Sequence, residues 1–599
     1  MNLAQSFQQA QSAFNGGDLW TASRVCDDMI KRVPGHPDVL HLMALVCKRQ
    51  GQVSQAEKYF KASLSSKPRQ PAVLSNLGNL LKRNRRYPEA DEAYARALKY
   101  QPDLSDAWYN RGLMALEQGR TERAIEFLEN ARRLESRVNV GLALIKAYTQ
   151  ADRLDEAIKL ADELKLNHPG DIRASVIAAT TRSKRKPDEG LRLLEEELSR
   201  GGDPATIHYE IGLVHSNQNA FDRAIEHFEA ALRARPTMIE AHRSLNEIYW
   251  QQEDERFLQS YRDAIEIEPT FAPLYHNLAA ALVSSGDEST AADVLLEALS
   301  RSGRDPHLVQ GFAVMKIRQK DYELGEQMLL EALQADPDNL RCLVDIANLL
   351  ITTERYEKAT EHLERALKVQ PHNQEVWAYM GVVWRLTGDE RHDWLNDYET
   401  LLRVYELPTP SGFDNIQSFM SDLADYLPSL HSARRQPLDQ SVRGGTQTFD
   451  PLFDNAHPLI AALKRGVESV LSDYLGTMPR DNKHPFYSRI AKATRFTGSW
   501  SIILKSGGHH TNHIHPYGWL SCCNYIALPP LENQKKKDRS GWIKFGETSM
   551  HLGKREQVAQ AIRPEPGKCV FFPSYFWHGT YAFESEHPRM TVPCDIDPA

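Results

Sequence analysis

The chain has 599 residues, 72 Lys and Arg against 80 Asp and Glu, and a formal net charge of -8. That length exceeds what one core organises, and the charge balance lacks the basic footprint of a nucleic-acid binder. No run of 18 apolar residues occurs and the first residues carry no basic-then-apolar leader, so a soluble chain without a membrane partner is expected. The seven cysteines are scattered without framework spacing, which points to reduced thiols and a cytoplasmic setting.

From residue 3 to about 405 the sequence repeats with a period close to 34. Prolines recur at 34, 68, 102, 169, 236, 269, 337 and 371, a regular beat of helix stops. Twelve residues before most of them stands a small residue: Ala22, Ala56, Ala90, Ala157, Ala224, Gly325 and Ala359. A larger apolar residue follows four positions on, as in Phe60, Tyr94, Phe228, Leu329 and Leu363, so both lie on one helical face. In the preceding helix Gly78, Gly112, Gly212, Ala279 and Gly381 fill the matching slot, with Trp108 and Trp377 three or four residues earlier. This pattern resembles the tetratricopeptide repeat. About twelve units are expected, each a helix pair that buries its apolar face only by stacking on its neighbours. The named small and aromatic residues are assigned to that packing, and the groove of the array to a peptide or protein partner. Trp384 and Trp394 are expected to cap the last helices, and Pro408, Pro410 and Gly412 then break the rhythm.

Beyond residue 407 the pattern changes. Helices are expected at Asn415 to Tyr426 and His457 to Tyr474, with SVRGGTQT irregular between them. Short segments rich in β-branched and aromatic residues follow at 500–504, 519–528, 542–545, 569–572 and 590–592, which read as strands of a sandwich or jelly roll. The expected fold class is therefore α+β and multidomain. An N-terminal α-solenoid covers residues 1–406, and a double-stranded β-helix (jelly roll) with flanking helices covers residues 407–599.

Histidines carry the chemistry. His509, His510, His513 and His515 crowd into seven positions, and His578 follows FFPSYFW. On an extended strand residues i and i+2 share a face, so His513 and His515 can present two imidazoles to one ion, with His578 as the third ligand. His509 and His510 read as solvated, Cys522 and Cys523 as small core residues, and Trp519, Phe576 and Trp577 as core aromatics.

The ordered set NHIHPYGWLSCCNYIALP, GWIKFGE, PEPGKCVFFPSYFWHGTYAF and PRMTV resembles the iron(II) and 2-oxoglutarate dependent oxygenases, in the branch found behind tetratricopeptide repeats in bacteria. The resemblance covers roughly residues 495 to 597. It implies His513 and His578 as iron ligands, Arg589 as the partner of the distal 2-oxoglutarate carboxylate, Thr591 as its helper and Tyr525 as a further hydrogen-bond donor. It also implies Fe(II) as cofactor, with 2-oxoglutarate and molecular oxygen as cosubstrates. The outcome would be hydroxylation of a peptide or protein side chain brought by the repeats. His515 departs from the usual pattern, since it stands where an H-x-D or H-x-E motif has its carboxylate. An all-histidine iron site, a carboxylate supplied from elsewhere, and a different ion such as zinc or copper all remain open. The array could instead pair two copies as a homodimer or tether a small-molecule oxygenase, and a scaffold with a non-oxygenase metal-binding jelly roll is the remaining reading.

Overall fold

In a computed structural model of the chain, residues 3–598 are described apart from 85, 450, 492 and 531–538. The chain divides into two compact units, Met1–Glu197 and Leu198–Ala599. The first consists of paired helices, from Leu3–Asn15 with Leu19–Arg32 up to Ile172–Ser183 with Pro187–Ser199. The second holds the later pairs, beginning with Pro204–Asn217 and Phe221–Ala234, and all the strands.

The 34-residue rhythm is a packing rhythm. Ala22, Ala56, Ala90, Ala157, Ala224 and Ala359 are fully buried, and so are Phe60, Tyr94, Phe228, Leu329 and Leu363. The glycines of the preceding helices explain why the slot is small. A Cβ at Gly78 would lie 2.7 Å from the Tyr94 ring, one at Gly112 2.6 Å from Leu128, and one at Gly212 2.6 Å from the Phe228 ring. Helix pairs also form at Ile172–Ser183 with Pro187–Ser199 and at Pro306–Arg318 with Tyr322–Ala335.

The last pair is truncated. Gln374–Thr387 is followed by the short helices Arg391–Leu395 and Tyr398–Leu401. Trp377, Trp384 and Trp394 cluster there with ring centroids 6.3 to 6.5 Å apart, and Trp394 Nε1 donates to Asp481 at 2.9 Å. The tryptophans thus close the array and tie it to the segment ahead of the strand Thr494–Ser499.

Ten strands follow: β1 (Arg403–Glu406), β2 (Val442–Gln447), β3 (Thr494–Ser499), β4 (Ile502–His510), β5 (Leu520–Ala527), β6 (Ile543–Phe545), β7 (Gln560–Ile562), β8 (Lys568–Pro573), β9 (His578–Thr580) and β10 (Arg589–Pro598). They build two antiparallel sheets. One runs β1-β8-β5-β10-β4-β2, with β3 also paired to β10, and the other runs β7-β6-β9. Helices Ile416–Tyr426 and Pro458–Gly476 flank them, close to where they are expected.

Three expectations need correction. SVRGGTQT is not irregular: it forms β2, and its glycine pair lets that strand lie against β4. Gly444 takes φ +69°, and a Cβ at Gly445 would lie 2.4 Å from the Ile503 carbonyl oxygen. Strands β4 and β10 run well past the short segments expected for them: the polar end of β4 is held by pairing with β2, and the end of β10 alternates buried apolar with half-buried polar residues. His513 and His515 lie just after β4, and the isolated bridge between His513 and His578 is what holds that stretch extended.

Packing is continuous where helices give way to strands. Tyr398 packs on Phe576 and Tyr379 on Trp577, while Tyr575 Oη donates to the Leu395 carbonyl at 2.8 Å. Arg555 reaches back to the Ile351 and Thr352 carbonyls at 3.1 Å. The segment 431–441 also lies along the repeats. Trp250 Nε1 donates to the Gln436 carbonyl at 2.9 Å, the Arg434 amide donates to the Gln251 carbonyl at 3.0 Å, and Arg435 sits over the Trp250 ring at 3.5 Å. Leu438 N bonds Glu247, and Ser284 bonds Asp439.

His431 anchors the start of this strap between Thr446 (2.7 Å) and Ser501 (2.9 Å), and burial lowers its pKa to about 4. A histidine whose folded pKa is depressed contributes stability that is present above its unfolded value near 6.5 and lost as pH falls through the folded one. Unfolding midpoints should therefore drop between pH 6.5 and 4, and His431→Gln should flatten part of that drop; identical pH profiles would refute this. Gly212→Ala should cost about 1 to 3 kcal/mol through overpacking against Phe228, despite the better helix propensity of alanine. Chemical denaturation followed by circular dichroism would show it, and an unshifted midpoint would count against the close-packed slot.

Candidate functional site

An imidazole can take a metal ion only on the nitrogen that carries no proton, so the partner of the other nitrogen decides its use. His513 Nδ1 donates to the Thr511 carbonyl at 2.8 Å, and His578 Nδ1 donates to the Phe576 carbonyl at 2.9 Å. His515 Nδ1 donates to the Asp595 carboxylate at 2.7 Å. All three acceptors fix the proton on Nδ1 and leave Nε2 free. One nitrogen from each ring can be chosen so that all lie within 4.8 Å of one another, the spacing of ligands around a single ion.

The backbone sets this spacing. His513 and His578 exchange two amide bonds, of 2.8 and 3.0 Å, and His515 N donates to the Ser574 carbonyl at 2.9 Å. Gly579 permits the approach, because a Cβ there would fall 2.4 Å from Asn512 Oδ1. Burial pulls the pKa of His513 down to about 3, helped by the charge of His515, and it pulls His578 well below the usual range. Burial works the same way on His515, but the charge and hydrogen bond of Asp595 outweigh it and raise that pKa.

Beside the histidines lies a cavity of about 800 Å³, a size suited to a small acid together with part of a second molecule. Strand alternation brings Arg589, Thr591, Pro593 and Asp595 of β10 onto its wall, while Val592, Cys594 and Ile596 turn into the core. Tyr525 stands opposite Thr591 in the register of β5 and β10. Arg589 is 1% exposed, and its Nε and Nη1 find no partner among the described residues; neither do Thr591 Oγ1 and Tyr525 Oη. A buried cation without a counter-charge is costly unless an anion joins it. The donors on the cavity wall thus fit a carboxylate: a guanidinium fork and a hydroxyl, with the Tyr525 ring set off the lining, under the guanidinium at 5.5 Å.

His509 and His510 are half-buried, and His510 is not merely solvated. It lines the cavity, with Nδ1 3.0 Å from Ser441 Oγ and its ring stacked 6.0 Å from His513. Burial raises the thiol pKa of Cys523 to about 11 and that of Cys522 further still, so neither offers a thiolate. Trp519 is wholly buried against Phe486, as expected of a core residue. Asp595 escaped the sequence reading, although counting by twos from Arg589 along one strand face leads to it. The mouth of the cavity is shared: Val283, Ser284 and Arg318 come from repeat helices, and Asp439 and Ser441 from the strap.

Fold and donor set define a class: a helical-repeat protein whose C-terminal sheets can hold a divalent ion on histidine nitrogens beside an anion anchor. The comparisons specify it. Residues 498–595 match the family described as "Putative 2OG-Fe(II) oxygenase". Tetratricopeptide repeat families match residues 37–70, 75–137, 115–179 and 182–239, and the family described as "Cilia and flagella-associated protein 70 middle TPR-like domain" matches 275–403. The chain is therefore a tetratricopeptide repeat region followed by a C-terminal domain of this 2OG-Fe(II) oxygenase family.

Curated relatives match over part of the chain. The peroxisomal targeting signal receptor of Saccharomyces cerevisiae is 25% identical over 250 residues, 37% of this chain and 38% of that protein. A DnaJ homolog subfamily C member 7 homolog of Schizosaccharomyces pombe is 25% identical over 174 residues, 26% of this chain and 37% of that protein. The chain thus spans under two fifths of either. A crystal structure of a tetratricopeptide repeat protein from Parabacteroides merdae covers 40% of this chain and 98% of its own, at 18% identity and a TM-score of 0.33.

If Arg589 is kept for a ligand, it is a burden without one. Arg589→Met should leave the ligand-free protein as stable or stabilise it by about 1 to 4 kcal/mol, the usual result of replacing a buried charge by a hydrophobe. A lower melting temperature for the Met variant would mean the arginine serves the fold.

Proposed function

We propose that this chain is an iron(II) and 2-oxoglutarate dependent hydroxylase of peptide or protein side chains. His513, His515 and His578 would hold the metal, and Arg589 with Thr591 would hold the distal carboxylate of 2-oxoglutarate, with Tyr525 adding a phenolic hydrogen bond. The observation that carries this reading is the pairing of three Nδ1-protonated imidazoles with a buried Arg589, whose Nε and Nη1 have no hydrogen-bond partner among the described residues, on the wall of one cavity.

When bound, iron and 2-oxoglutarate supply oxygen activation, with succinate and carbon dioxide as co-products. The chain's own residues do the rest. The carbonyls of Thr511 and Phe576 and the carboxylate of Asp595 hold the three protons that keep Nε2 turned to the site. Arg589 and Thr591 orient the acid from one strand. The apolar sheet interior around Phe572 and Ile543 keeps bulk water from the inner cavity.

Support for a polypeptide substrate comes from the mouth. Repeat helices Ala272–Ser285 and Pro306–Arg318 border it together with the strap, so a chain held against the repeats would meet the opening directly. Part of the repeat surface, from Glu247 to Gln252 and at Ser284, is taken by the protein's own strap, so on this reading an incoming peptide would approach beside Arg318.

The test is an anaerobic titration with ferrous ion and 2-oxoglutarate, followed by succinate analysis once oxygen is admitted. A visible charge-transfer band is expected in the wild type and its loss in His578→Ala. In Arg589→Ala metal should be retained and 2-oxoglutarate affinity should fall by about 10- to 100-fold, the worth of a charge-assisted hydrogen-bond pair. A folded, metal-loaded protein with neither band nor succinate would overturn the assignment.

A further inference from the structure

With a histidine in the carboxylate's usual position, the triad itself brings no negative charge to a divalent ion. Asp595 stands directly behind that histidine. Its carboxylate accepts from His515 Nδ1 at 2.7 Å and from Ser521 Oγ at 2.7 Å, and the pair is largely shielded, with side-chain exposures of 17% for His515 and 13% for Asp595.

The aim of this carboxylate is built into the fold. Residues 589, 591, 593 and 595 of β10 share the cavity face, and the register of β10 against β3 slips between Asp595 and Ile596. Such a bulge turns a side chain out of the regular ladder. Opposite it, Gly518 leaves room: a Cβ there would lie 3.6 Å from the Asp595 carboxyl carbon and 2.6 Å from Ser574 Oγ. The two other ligand candidates have only backbone carbonyls in the corresponding place. The three histidines are therefore unequal, and the one backed by a carboxylate is the one in the carboxylate's place.

We propose that Asp595 is a positioning residue that returns, one hydrogen bond behind His515, the negative charge that the H-x-H pair lacks. It holds the ring with Nε2 towards the ion and sets a carboxylate behind an otherwise neutral ligand. This rests on the reading of His513, His515 and His578 as a divalent-metal site.

The experiment is an anaerobic competition titration of the metal-free full chain with ferrous ion against a chromogenic chelator, without 2-oxoglutarate. Binding by the wild type and its loss in His578→Ala establish the site; no binding by the wild type takes down both readings. Asp595→Asn, which keeps the shape and loses the charge, should weaken binding by about 10- to 100-fold. Ser521→Ala, which leaves the carboxylate in place, should weaken it far less. In the double variant His515→Asp with Asp595→Asn the carboxylate returns next to the ion, and much of the lost affinity should return with it. Thermal melts of the metal-free variants separate any loss of fold. Wild-type affinity in Asp595→Asn overturns the proposal, as does a folded double variant without recovery. Abolished binding in Asp595→Asn with His515→Ala still competent also overturns it, because Asp595 would then be the ligand itself.

Discussion

Everything at the site depends on where three protons sit. An imidazole has two nitrogens and, when neutral, one lone pair, and a cluster of histidines is a metal site only if every ring is obliged to turn that lone pair inwards. Here the obligation is met by two backbone carbonyls and one carboxylate, each within 2.9 Å of an Nδ1. The carbonyls are available because the stretch after β4 is extended and bonded to β9, and β9 can come close because a glycine follows His578. Chain direction, hydrogen bonding and ligand geometry are thus one arrangement.

The repeats take part in this arrangement rather than merely preceding it. A single apolar core runs from Leu258 through the last helices to Ile596. It includes aromatic contacts across the change from helix to strand, and the strap from His431 to Ser441 is bonded to the repeats along most of its length before it enters β2. Ser441 then meets His510, which lines the cavity. The route from repeat surface to cavity wall is a few residues long.

Much of this was legible in the sequence, for identifiable reasons. Helical repeats announce themselves because packing needs a small residue and a large one at fixed spacing, and Gly212 under Phe228 is that need made visible. The histidines and Arg589 stand out because buried metal-binding and cationic side chains are rare without a task. What stayed hidden was set by partners distant in sequence. The glycines of β2 read as a loop because only contact with β4 shows why they are there. Asp595 stayed hidden because its meaning lies in His515, 80 residues away along the chain. The strap was unreadable for the same reason: its bonds to Trp250 and Gln252 use its backbone carbonyls, which no side-chain pattern records.

The hydroxyl of Tyr575 on the Leu395 carbonyl, small in itself, bears on how such a protein can be handled. It joins the loop that delivers His578 to the last short helix of the array. A cut placed where helix gives way to strand would sever no secondary-structure element, yet it would strip the support from behind a ligand loop and lay bare Phe576 and Trp577. The C-terminal domain is therefore a poor module for transplantation: what looks like a linker in the sequence is, in three dimensions, part of the floor beneath the histidine cluster.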